Sequence, residues 1–213
     1  MGGKNRLPTR VIDVGDYTNP RLRLLDGDDR TGRYIALSHC WGKFDESHKV
    51  CTYRHNIQEL RQHIDYDSLP KTFQDAVRVT WALNIRYLWI DSICIIQDDG
   101  EDWEAESGRM EDVFSLAYCI LAASSAKSST DGFLRNREPR QCLTIHTPKC
   151  GTIYICKAID NFHLDVEQGE LNKRGWVLQE RALSHRTIHF TSTQVYWECG
   201  EGVHCETLAK LRK

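Results

Sequence analysis

The sequence has almost no charge of its own: 28 Lys and Arg against 30 Asp and Glu leave a formal −2 over 213 residues. No block of one sign stands out, so bulk electrostatics do not favour a nucleic-acid-binding protein. No apolar stretch approaches the ~20 residues of a membrane span. Neither Gly-x-Gly-x-x-Gly nor a Walker loop can be read, which argues against a Rossmann dehydrogenase and a P-loop ATPase. The Gly-x-Ser-x-Gly elbow of many hydrolases is missing too. No Cys-x-x-Cys pair occurs. The spacings within Cys150 and Cys156, and within Cys199, His204 and Cys205, are looser than structural zinc usually shows, so no metal is expected. Internal repeats and low-complexity segments are absent. The start Met1-Gly2-Gly3 carries Arg6 where a myristoylation signal needs Ser or Thr.

What is present fits a folded globular protein. Hydrophobic residues make up 40% and charged residues 27%, and a chain this long can bury a core without staples. Nine cysteines are an odd number. Several lie inside apolar runs, where a reduced thiol behaves as a small hydrophobe. Reduced thiols in a reducing compartment, cytosol or nucleus, are the expectation, with a cytoplasmic location preferred.

Along the chain, residues 10–14 and 21–25 are strand-like. Tyr34-Ile35-Ala36-Leu37-Ser38 reads as a buried strand, and a turn at Trp41-Gly42 follows. Residues 70–84 predict a helix. Thr72 and Asp75 form a capping-box pattern, and Phe73, Ala76, Val77, Thr80 and Asn84 share a face. Residues 87–96 are nearly continuous in apolar side chains, as in a strand covered on both faces. A second helix places Trp103, Ser107, Met110, Phe114 and Ala117 on one side. Residues 118–123 make the next strand. Such alternation implies parallel strands with right-handed crossovers, and ligands beyond their carboxyl ends. Those ends carry Ser38 to Gly42, Asp91 to Cys94, and Ser124-Ser125. In the last third, 143–147 and 152–156 predict a hairpin across a turn at 148–151. A helix follows over 174–186, then a second hairpin from 187–191 and 194–199.

Three blocks carry a family resemblance. Tyr34-Ile35-Ala36-Leu37-Ser38-His39-Cys40-Trp41-Gly42 opens it. Leu88-Trp89-Ile90-Asp91-Ser92-Ile93-Cys94-Ile95-Ile96-Gln97 is the middle block. Arg174-Gly175-Trp176-Val177-Leu178-Gln179-Glu180-Arg181-Ala182-Leu183-Ser184 closes it. Together they resemble the heterokaryon incompatibility (HET) domain of fungi, with His39 where the family usually has tyrosine. The resemblance implies nonself recognition and programmed cell death. It also implies a distant likeness to TIR domains, and so an α/β fold: a parallel-sheet, TIR-like (flavodoxin-like) three-layer core with added β-hairpins in the C-terminal third. Residues 1–32 are read as a lead-in belonging to the domain, 33–206 as the domain and 207–213 as a tail.

Some TIR domains hydrolyse NAD through the glutamate of a Trp-x-x-x-Glu motif, and Trp176 to Glu180 matches that spacing. The resemblance thus implies a catalytic Glu180, with Ser38, His39, Trp41, Gly42, Asp91, Cys94, Gln97, Ser124 and Trp176 binding substrate. No cofactor is required, and NAD is the expected substrate. Self-association and other signalling domains are the expected partners, with no nucleic acid and no membrane span. On a helix Trp176, Glu180 and Leu183 share a face, which partly desolvates the carboxylate. A carboxylate so placed can stabilise an oxocarbenium-like ribosyl centre. Alternatively, Glu180 pairs with Arg174, Arg181 or Arg186 as a structural bridge. Cys94 with His39 could form a thiol–base pair or be simply buried. Two further functions stay open: a non-catalytic self-associating adaptor, and the same fold recruited to another small-molecule reaction.

Overall fold

A computed structural model describes residues 5–42, 50–137, 142–147, 151–207 and 210–211. The side chains of Trp176, Leu178, Gln179, Lys210 and Leu211 lie outside the described ones.

The chain opens with a short strand β1 (Asn5–Arg6), then a hairpin of β2 (Arg10–Asp16) and β3 (Asn19–Asp26), and β4 (Thr31–Gly32), which pairs with β1. The apolar run that follows forms β5 (Tyr34–Ser38), buried along its whole length. After α1 (Ile57–Gln62) and α2 (Lys71–Ala82) come β6 (Tyr87–Trp89), one turn of helix α3 (Asp91–Cys94), α4 (Gly100–Ser107) and α5 (Met110–Leu116). Next is β7 (Cys119–Ala122), buried at every residue. An exposed hairpin, β8 (Cys142–Thr147) and β9 (Gly151–Cys156), leads through a π-helical and a 3-10 turn to α6 (Gly175–Leu183). The chain finishes with β10 (Arg186–Phe190), β11 (Val195–Cys199), β12 (Gly202–Cys205) and β13 (Lys210–Leu211).

Nine of these strands form one sheet, ordered β13-β12-β11-β10-β7-β5-β6-β2-β3. Its centre is parallel: Ile35 pairs with Leu88 and with Cys119, and Ile188 pairs with Leu121. Taken in chain order, the four parallel strands β5, β6, β7 and β10 lie 2-1-3-4 across the sheet. Antiparallel wings extend both sides, β2 and β3 beyond β6, and β11 to β13 beyond β10. The core of Tyr34, Ile35, Leu37, Leu88, Trp89, Ile120 and Leu121 sits in this parallel centre. Each such side chain contributes about 1.5–3 kcal/mol on burial, which is why the unalternated runs end up there.

Several expectations need correction. The run 87–96 is not one strand: β6 stops at Trp89 and Asp91–Cys94 turn into helix. Asp91 Oδ1 accepts from the Ser92 amide at 2.7 Å, a local bond that competes with a sheet ladder. Ile93 and Cys94 are fully buried all the same, and burial, not extension, made the run apolar. Thr72 and Asp75 do not cap α2, whose N-cap is Pro70. The Thr72 hydroxyl instead accepts from the Gly132 amide, and Asp75 accepts from the amides of Phe133 and Leu134. Asn84 lies past the helix at φ 54°, a terminator in place of a face residue. The second long helix is two, α4 and α5, and Trp103 is 52% exposed.

The second C-terminal hairpin is present as β10 and β11, but β10 also joins β7 in parallel and so widens the main sheet. The first hairpin forms too, while residues 148–150 of its turn lie outside the described residues. Cys142 and Cys156 are joined as a disulfide, against the expectation of reduced thiols throughout. The hairpin register puts them directly opposite, with Cα atoms 4.2 Å apart. Six other described cysteines are outside any disulfide, five of them buried. No described helix is long and apolar enough to cross a membrane.

Candidate functional site

Strand β5 ends on Ser38, which is buried at the carboxyl edge of the sheet centre. Its hydroxyl donates to Glu180 Oε2 of α6 at 2.5 Å. Next along the edge, α3 begins at Asp91, one residue beyond the extended Ile90. Asp91 Oδ2 accepts from Trp41 Nε1 at 2.8 Å. The Gln97 amide donates to the carbonyls of Ile95 at 3.0 Å and Asp91 at 3.4 Å, which holds the segment after α3. Trp41, Asp91, Gln97, Arg174 and Glu180 therefore wall one cavity of about 180 Å³, with Trp103 of α4 and Met110 of α5 completing it.

The electrostatics of this cavity centre on Glu180, which is 8% exposed. Burial pushes its carboxyl up to about 7 from an ordinary 4.5. The Ser38 hydrogen bond opposes that rise, the charge of Asp91 adds to it, and Arg174 opposes it. The structural-bridge alternative is not what the three arginines do. Arg174 donates to the His39 carbonyl, Arg181 holds Glu198 through two bonds of 2.9 and 3.1 Å, and Arg186 reaches the Tyr118 carbonyl. None of them is hydrogen-bonded to Glu180 among the described residues.

The other expected residues divide. His39 is buried and does not line the cavity; it lies edge-on to Phe73 and 3.9 Å from Asp91 Oδ1 through an Nδ1 that has no hydrogen-bond partner. Burial pushes its pKa down, Asp91 draws it up and Arg174 lowers it, so the ring is neutral near pH 7. Gly42, at φ 91°, lines a neighbouring cleft; a Cβ there would stand 2.6 Å from Cβ of Ser128. Ser124 lines, with Ser38 and Glu180, a separate void of only about 10 Å³, at most room for one water. Cys94 is not at the cavity. It is fully buried in the core, and burial holds its thiol at about 12, far from a thiolate. The side chain of Trp176 lies outside the described ones.

Sequence reasoning missed Arg174 as a cavity wall and placed Trp103 on a helix face without assigning it to the site. The signal for Trp103 was there: a lone tryptophan among Glu101, Asp102 and Glu104 on a short helix. For Arg174 the signal was its place at the head of the closing block. Among the described residues, no three His, Cys, Asp or Glu side chains converge to hold a metal.

A family model described as "Heterokaryon incompatibility protein (HET)" matches residues 34–180. The chain belongs to the HET family. The matched span runs from the first residue of β5 to Glu180, and so contains both partners of the Ser38–Glu180 bond. This HET chain is also similar to heterokaryon incompatibility protein 6, OR allele, of Neurospora crassa, at 31% identity over 94 residues. That match covers 41% of this chain and 14% of the relative, so the chain spans a small part of that longer protein. No solved structure matches it.

Proposed function

We propose that this HET domain acts in fungal nonself recognition, and that it signals cell death by hydrolysing NAD at Glu180. The observation that carries the reading is the buried Glu180 carboxylate, aimed by Ser38 into a cavity walled by Trp41, Asp91, Gln97 and Trp103. The 2-1-3-4 order of the parallel strands supports a flavodoxin-like, TIR-like core with its site at the carboxyl edge. Pairing of β2 with β6 supports counting the lead-in as part of this domain. A cytoplasmic site of action belongs to the same proposal.

The chemistry asks little of the protein. As the bond from the nicotinamide nitrogen to the ribose breaks, its electron pair returns to the ring, which leaves neutral. The positive charge moves onto the ribosyl carbon and ring oxygen. Ionised Glu180 faces that charge, and the Ser38 hydroxyl fixes its direction without reorganisation. Water adds to the ribosyl carbon and gives up a proton, yielding ADP-ribose. Trp41 and Trp103 present aromatic faces on which the leaving ring can stack. The test is incubation of a concentrated sample with NAD, followed by chromatography. Nicotinamide and ADP-ribose should form with the native chain and not with Glu180→Gln. Equal turnover by both removes Glu180 from the mechanism.

A second reading, a self-associating adaptor, has its own observation. Leu143, Ile145, Ile153 and Ile155 are exposed and lie on one face of the β8–β9 hairpin, as cross-strand pairs. Such a face is suited to association. Cell killing that survives Glu180→Gln would favour this reading.

A further inference from the structure

Beside the Glu180 cavity lies a larger open cleft of about 600 Å³, and the two share Trp41 and Arg174 as walls. Their charges are opposite. The first presents the carboxyl groups of Asp91 and Glu180. Among the described residues, the second presents Lys127, Lys173 and Arg174 against a single carboxylate, Glu170, which Lys173 already holds at 2.6 Å. Two cations are thus in excess among the described residues there. A second feature points the same way. Arg174 is the N-cap of the nine-residue helix α6, and its side chain makes no capping bond to that helix. Gly175 follows with open space where a Cβ would be. A helix start beside excess cations is suited to an anion.

We propose that the cleft bounded by Lys127, Lys173, Arg174 and the start of α6 is a phosphate subsite, so that the ligand is a nucleotide whose phosphates lie there while its glycosidic carbon lies at Glu180. This rests on the reading of Glu180 as the glycosidic centre and adds to it the place where the phosphates of that nucleotide lie and the residues that bind them. Arg174 sits at the junction and serves both halves. Its bond to the His39 carbonyl fixes the side chain, so it meets the phosphate at little entropic cost. Trp41 separates the two halves, with its indole nitrogen held by Asp91.

The experiment is isothermal titration of the whole chain with ADP-ribose, adenosine and inorganic pyrophosphate, and of a K127A/K173A variant with the same probes. Both lysines are exposed, so melting of the variant should match that of the native chain. ADP-ribose should bind the native chain, adenosine should bind at least roughly tenfold more weakly, and the double variant should lose roughly tenfold or more for ADP-ribose. The ADP-ribose affinity should also fall as salt rises from about 0.05 to about 0.3 M. Equal affinity of the two proteins for ADP-ribose, or adenosine binding as tightly as ADP-ribose, overturns the subsite. Pyrophosphate binding as tightly as ADP-ribose overturns the assignment to a nucleotide. No binding of any phosphate-bearing probe overturns both. Because binding is read without turnover, these outcomes are distinct from the nicotinamide-release test of Glu180.

Discussion

Glu180→Gln should stabilise the fold, and by an amount that depends on pH. The carboxyl is nearly buried, and its folded value stands at about 7 against 4.5. The folded state therefore holds its proton more tightly than the unfolded state between those limits. Stability is fully present below 4.5 and is lost as pH rises to about 7, because the folded chain must then carry a poorly solvated charge. The gap between 4.5 and about 7 corresponds to roughly 3 kcal/mol at the plateau. Glutamine has the same shape and no charge, so it escapes this cost. Urea unfolding of the native chain and Glu180→Gln should give similar values near pH 4.5. They should diverge to about 2–3 kcal/mol in favour of the variant by pH 8, or roughly 4–10 °C in Tm. A pH-independent difference, or a variant less stable at pH 8, would mean the carboxylate is better solvated than its burial indicates.

Ser38→Ala removes the one hydrogen bond donated to Glu180 among the described residues and so leaves burial less opposed. The midpoint of nicotinamide release against pH, rising through about 7 in the native chain, should move to higher pH in this variant. An unmoved midpoint would separate Ser38 from the carboxylate. Asp75→Ala strands the buried amide of Phe133 and the half-buried amide of Leu134, which now lie 2.9 and 3.0 Å from Asp75 Oδ2. It should cost about 3–5 kcal/mol in urea unfolding, and Asp75→Asn, which keeps an acceptor oxygen, should recover much of that loss. Replacing Ile145 and Ile153 together by lysine should abolish any self-association seen by light scattering at high concentration, with melting unchanged, since both are exposed. An unaltered mass would exclude the hairpin face as the contact.

How much of this could be read from the residues depended on what burial does to pattern. The three strands β5, β6 and β7 were legible because each is covered on both faces and so has no polar alternation. The same rule misled at Asp91–Cys94, where a single helical turn is as buried as a strand. The capping box at Thr72 and Asp75 had the right spacing, but Pro70 already sets the helix entry. The two side chains instead satisfy a loop nearly 60 residues away, a long-range demand that no local pattern shows. At the site, Ser38, Trp41, Asp91 and Gln97 stand on or shortly beyond strands of the parallel centre, and helix α6 brings Glu180 to them. Cys94 fell away for want of a single angle: it lies three residues past Asp91 on a helical turn directed into the core.

The value of about 7 for Glu180 also carries a consequence for selectivity. A carboxyl poised there is only partly ionised at neutral pH, and any charge entering the cavity shifts the balance. A cationic nicotinamide ring within ~4 Å would interact by about 4 kcal/mol at an effective dielectric of 20, more than enough to drive the proton off. The neutral dihydronicotinamide ring of NADH offers no such gain, and neither does the neutral leaving product. Binding of the oxidised form should therefore release up to one proton and tighten as pH rises to about 7, then level off, whereas NADH should bind with no proton release. A carbocyclic NAD analogue, whose ring-to-sugar bond resists hydrolysis, permits the measurement by titration in buffers of differing ionisation enthalpy near pH 6.5. Proton release should vanish in Glu180→Gln. Release that persists in that variant would place the titrating group elsewhere, and no release in the native chain would mean that the ring does not reach Glu180.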